Sequence, residues 1–79
     1  MRYICINNPV VKSRDIFPMN RLKRLSFKDQ GDWYYLRLEV NDALFEWYCR
    51  PEKIEGLLRT LMDESVKFWD IELKLNKLP

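Results

Sequence analysis

The chain of 79 residues contains no histidine. That absence removes imidazole acid–base catalysis, Ser-His and Cys-His nucleophile pairs, and Cys/His zinc sites. Glycine is scarce as well. Gly31 and Gly56 stand alone, so there is no glycine-rich loop to cradle a phosphate. Cysteine is limited to Cys5 and Cys49, each within an apolar strand-like run and without Cys-x-x-Cys spacing. Two buried free thiols in a reducing compartment are expected, and a disulfide would require their strands to be neighbours. No apolar run approaches the roughly 20 residues of a membrane span. The apolar run after Met1 is too short for a signal peptide. A cytoplasmic protein without a membrane partner is expected.

Acidic neighbours occur at Asp29/Asp32, Asp63/Glu64 and Asp70/Glu72. A catalytic or metal-binding carboxylate pair needs a concave, partly desolvated site, whereas acids in turns and at helix ends are usually solvated. The run Asp29-Gln30-Gly31-Asp32 lacks the ligand count of a calcium loop. The sequence therefore predicts no catalytic residue, no metal ligand and no cofactor, and a protein that is not an enzyme. No motif is specific enough to assign a family.

What the chain does have is apolar and aromatic surface. Hydrophobic residues make up 47% of it and aromatic residues 14%, far from the composition of a disordered segment. A domain this small buries only about 60% of its unfolded surface. Large rings offset that, because each buries about 150–250 Å². One domain over residues 1–79 is expected.

Net charge is +2, but it is unevenly placed. Residues 1–28 carry seven cations (Arg2, Lys12, Arg14, Arg21, Lys23, Arg24 and Lys28) against Asp15 alone, and residues 29–79 carry an acidic excess. The surface is polarised if the fold keeps the two halves apart.

The organising stretch is 33–64, a β-hairpin leading into one amphipathic helix. Residues 33–40 alternate, with Tyr34, Leu36, Leu38 and Val40 on one face and Trp33, Tyr35, Arg37 and Glu39 on the other. A two-residue turn at Asn41-Asp42 sets Val40 against Ala43, Leu38 against Phe45, Leu36 against Trp47 and Tyr34 against Cys49. It also sets Arg37 against Glu46 and Tyr35 against Tyr48. A slip of one residue would destroy both patterns. An even loop over 29–32 then puts Phe27 opposite Tyr34 and Leu25 opposite Leu36, which makes a three-stranded meander starting near Lys23.

Pro51 suits the first position of a helix running to about residue 64. Ile54, Leu57, Leu58, Leu61 and Met62 form its apolar face, and Glu55 and Arg59 are spaced for an i,i+4 pair. Gly56 in mid-helix costs roughly 1 kcal/mol relative to alanine, unless it admits a close approach. Residues 3–6 read as a first strand, interior to the sheet. Residues 10–20 read as a long loop, with a helical turn from Ser13, packed down by Ile16 and Phe17. Residues 66–75 read as a last strand and 76–79 as a tail.

The expected fold is α+β, ordered β-loop-β-β-β-α-β. It is an antiparallel-rich sheet of four to five strands with the amphipathic helix on one face. The expected function is a small adaptor or inhibitor of the kind phages and mobile elements encode, binding another protein or a nucleoprotein complex. The candidate surface is the outer face of the meander. Trp33, Tyr35 and Tyr48 lie there, bordered by Arg24, Lys28, Arg37 and Arg50, unless the 10–20 segment or a second subunit covers them. Arg21, Lys23, Arg24 and Lys28 form a second, basic candidate. The alternative is a nucleic-acid-binding module that uses this 21–28 segment and stacks bases on the rings. Glu39 and Glu46 on the same face repel phosphate and weigh against it. A monomer, or a homodimer through an edge strand, is expected.

Overall fold

The computed structural model describes residues 1–73. Its first turn is written in the side chain of Asn8. The Oδ1 of Asn8 accepts the backbone N–H groups of Val10 and Val11 at 3.1 and 3.4 Å, and Lys12 takes a positive φ of 55°. The chain therefore doubles back, and Tyr3–Asn8 (β1) pairs antiparallel with Ser13–Pro18 (β2). The expected long loop over 10–20 is thus mostly a strand, followed by the 3-10 turn Met19–Arg21 rather than a turn at Ser13. Six residues with two charges and a terminal proline carry little strand propensity. They are extended because β1 supplies the partner.

Leu22–Asp29 (β3), Tyr34–Val40 (β4) and Ala43–Cys49 (β5) form the meander. The β4–β5 register matches the sequence reading at every pair, from Tyr34 with Cys49 to Val40 with Ala43. Asn41 supplies the positive φ that the turn needs. The β3–β4 register differs by two residues. Leu25 faces Leu38, Phe27 faces Leu36 and Asp29 faces Tyr34. The loop lies one residue later than expected, closed by the Gln30 N–H on the Trp33 carbonyl at 2.8 Å. An even loop is kept, so the faces stay in phase. Phe27 and Tyr34 still touch edge to face at 5.7 Å, as diagonal neighbours.

Pro51–Met62 forms the helix α1, two residues shorter than expected, and Phe68–Glu72 forms β6. The expected last strand reaches to residue 75 and the tail to 79; their parts beyond 73 lie outside the described residues. β6 pairs with β1 in parallel, Ile4 opposite Trp69 and Ile6 opposite Ile71. The architecture is α+β with two three-stranded sheets, β2-β1-β6 and β3-β4-β5, in place of one sheet of four to five strands. β1 is interior, as expected.

The two sheets share one core. Ile4, Ile6, Trp69 and Ile71 come from the first, Leu36, Leu38, Val40 and Trp47 from the second, and Ile54 from α1. Phe17 on β2 meets Phe45 on β5 edge to face at 6.0 Å. Leu57, Leu58 and Leu61 are partly buried against this core, but Met62 is 78% exposed and does not belong to the helix face. The meander's inner face is therefore covered by a second sheet as well as by the helix. The fold does not keep the basic and acidic halves of the chain apart. β1 lies beside β6 and β3 beside β4, and Arg14 reaches Asp70 at 3.6 Å. No helix among the described residues is long and apolar enough to cross a membrane.

Candidate functional site

Strand alternation puts every second residue of the meander on the side away from the core. The register arranges those residues in rows. Lys28, Tyr35 and Tyr48 make one row, Ser26, Arg37 and Glu46 the next, and Arg24, Glu39 and Leu44 a third. The rings of Tyr35 and Tyr48 pack with centroids 5.2 Å apart at a 44° tilt. The Tyr35 hydroxyl donates to Glu46 Oε2 in the neighbouring row. That bond holds the proton on Tyr35 and raises its pKa above the usual tyrosine value, with slight burial and the Glu46 charge adding to the shift.

One step beyond the Tyr34–Cys49 pair, the Arg50 guanidinium lies over the Trp33 ring, 4.2 Å from its centroid. This cation–π contact ties the residue before α1 to the loop before β4. It also occupies one face of the indole that base stacking would use. Below it, burial pushes the Cys49 thiol up, with Glu52 adding to the effect. Cys49 is half-buried and Cys5 fully buried, and both are free.

The fold brings Lys28, Trp33, Tyr35, Arg37, Tyr48 and Arg50 together at one end of the meander. It does not bring Arg21 and Lys23 to them. Arg21 ends the 3-10 turn, and its carbonyl accepts the Asn41 N–H at 3.0 Å. Lys23 sits at an irregularity in β3 and lies 3.9 Å from Asp42. Five residue steps of strand lead from Lys23 to Lys28, roughly 17 Å. Arg24 lies between, opposite Glu39. The basic run over 21–28 is therefore not a single patch. Its side chains go to two ends and two faces of a strand.

The 10–20 segment does not cover the rings, because β2 belongs to the other sheet and Phe17 points into the core. Leu44, 46% exposed on the same face, was not among the expected site residues. Its outward parity between Ala43 and Phe45 is the sequence signal that marks it. Among the described residues no group of three or more His, Cys, Asp or Glu could hold a metal ion.

Fold and face together define a small two-sheet α+β domain with a solvent-side tyrosine pair set among charges of both signs. Comparisons with protein-family models, with curated proteins and with solved structures return no match.

Proposed function

We propose that the chain is a non-enzymatic interaction module, an adaptor or inhibitor that binds another protein through the outer face of β3–β4–β5. The observation that carries this reading is the Tyr35–Tyr48 ring pair in line with Lys28, on a face the core does not use. Tyrosine and arginine are enriched at protein interfaces, where rigid rings give contact area at low entropic cost. The signs on the face favour a protein over a polyanion. Lys28, Arg24 and Arg37 alternate with Glu39 and Glu46, and a partner with complementary charges of both signs fits that pattern.

The test is affinity capture with mass spectrometry on four forms of the chain: native, Tyr35→Ala/Tyr48→Ala, Lys28→Glu/Arg37→Glu, and Arg21→Glu/Lys23→Glu. A partner held by the native chain and by the Arg21/Lys23 variant, but lost by the other two with the fold intact, supports the proposal. A partner held equally by all four removes it. So does a mobility shift with RNA or DNA at low salt that fades steeply as salt rises, because that dependence counts phosphate contacts.

A further inference from the structure

The Gln30 N–H on the Trp33 carbonyl makes those two residues a hydrogen-bonded pair. In an antiparallel ladder such pairs alternate with pairs that exchange no bond. Lys28, Ser26 and Arg24 therefore turn their peptide groups toward Tyr35, Arg37 and Glu39 on β4. Leu25, Phe27 and Asp29 turn theirs away from the meander. β3 is an edge strand, and no strand among the described residues pairs with that side of it. Backbone donors and acceptors left along a strand edge are a template for another strand.

The side chains along this edge differ between its two faces. On the core side stand Leu25, partly buried, and Phe27, which is 45% exposed and outside the core cluster. On the solvent side stand Arg24, Ser26 and Lys28. Among the described residues neither Arg24 nor Lys28 forms an ion pair. The acids nearby lie elsewhere. Glu39 is on β4, opposite Arg24, and Glu46 is on β5, where it accepts the Tyr35 hydroxyl. Asp29 has the parity of Phe27, and its Oδ1 accepts the Gly31 N–H at 3.0 Å. Asp42 lies near Lys23, beyond the irregularity in β3. The solvent side of the edge strand thus carries two cations four residues apart, roughly 13 Å, and no acid.

We propose that the free edge of β3 takes an extended segment of a partner protein as a fourth strand of the meander, with acidic side chains on its solvent face and apolar ones on its core face. This names the binding mode of the outer-face module and rests on that reading. The added strand lengthens the rows of that face by one residue. One acid falls beside Lys28 and Tyr35, and a second, four residues away, beside Arg24 and Glu39. Its inward side chains cover Leu25 and Phe27. A second copy of this chain is the wrong occupant. It would lay its own Arg24 and Lys28 beside the first pair, and like charges on neighbouring strands repel. The cations that turn away a copy select an acidic segment.

The probe is a short capped, fluorescently labelled peptide alternating glutamate and valine, followed by anisotropy. Two controls accompany it: a lysine/valine counterpart, and a twin N-methylated on its valines, whose amides would face β3. The expected result is a saturable rise with the glutamate peptide and none with the methylated twin. The lysine peptide should bind about tenfold more weakly, since two cross-strand pairs change from opposite to like charge. The amide of Phe27 should gain hydrogen-exchange protection in the complex. Phe27→Pro deletes one edge donor without touching the β4 ladder and should abolish the rise. If that variant does not fold, Arg24→Glu/Lys28→Glu decides, by reversing the preference between the two peptides. The proposal is overturned if no peptide binds at millimolar concentration, or if the twin binds as well as its parent. It is also overturned if the charge-reversed variant keeps the native preference, or if the Phe27 amide is protected in a dimer without peptide. The outer-face reading fails separately. A partner held by Phe27→Pro but lost by Tyr35→Ala/Tyr48→Ala upholds that reading and overturns this one, and the opposite pattern does the reverse.

Discussion

The guanidinium of Arg2 donates from Nη1 to the carbonyl of Leu61 at 2.8 Å, in the last turn of α1. Its Nη2 reaches the Thr60 carbonyl at 2.9 Å, and its Nε reaches the Val66 carbonyl at 2.7 Å. Carbonyls at a helix C-terminus have no partners within the helix, and a cation there meets the negative end of the dipole. The carbonyl of Arg2 accepts the Met19 N–H at 2.8 Å. One residue before β1 thus joins the helix end, the segment entering β6 and the crossing between the sheets.

Replacing that fork should cost more than any surface ion pair. Hydrogen bonds from charged groups contribute about 1.5–3 kcal/mol, so Arg2→Met should lower unfolding stability by about 2 kcal/mol. Arg2→Lys should recover less than half, because an ammonium cannot span three carbonyls in fixed geometry. Urea unfolding reads this as a lower midpoint with an unchanged slope. A midpoint equal to that of the native chain would show the contacts to be idle.

Gly56 offers the opposite test. An alanine Cβ there would find no atom within 4 Å, and the residue is exposed in mid-helix. Close approach of another element therefore does not explain this glycine. Gly56→Ala should stabilise the protein by about 0.5–1 kcal/mol through helix propensity. For a domain of this size that is a rise of roughly 2–8 °C in melting temperature. A fall in melting temperature would count against the structure around α1.

The Tyr35–Glu46 bond has a pH signature. The pKa of Tyr35 is raised in the folded state, so the bond's contribution is fully present below the unfolded value of about 10. It is lost as pH rises through the higher folded value. In an alkaline absorbance titration Tyr35 should give a step above the usual tyrosine value. Tyr35→Phe should delete that late step, and Glu46→Gln should move it to lower pH. If the native profile keeps its late step in Tyr35→Phe, the assignment fails.

The two cysteines should respond differently to alkylation. The thiolate is the reactive form, and burial pushes the Cys49 thiol up. Iodoacetamide should label Cys49 slowly near neutral pH, with a rate midpoint above the roughly 8.5 of a free thiol. Cys5, fully buried on β1, should be labelled only on unfolding. Peptide mapping by mass spectrometry separates the two sites. Rapid labelling of Cys5 in the native protein would contradict its burial.

Much of the meander is legible in the chain itself. Tyr34, Leu36, Leu38 and Val40 alternate with polar residues, and the two-residue turn leaves one register that keeps both faces consistent. The tyrosine pair followed from that register. The β3–β4 register was off by two residues because parity alone constrains it, and several even loops satisfy parity. The basic segment misled for a related reason. Arg21, Lys23 and Lys28 are neighbours in sequence, but an extended strand carries them roughly 3.3 Å apart per residue and to alternate faces.

Alternation, helical spacing and turn chemistry are local, so the residues alone determined β4, β5, α1 and the outward tyrosines. Only the tertiary structure decided that Ser13–Pro18 is a strand, that β1 lies parallel to β6, and that there are two sheets. It alone placed Arg2 on carbonyls up to 64 positions away. The sheet pairings rest on backbone donors and acceptors, and the Arg2 contacts on backbone acceptors, groups that differ little from one residue to the next. Which distant segment satisfies them is set by how the apolar faces close on one another, and no local pattern of side chains records that choice.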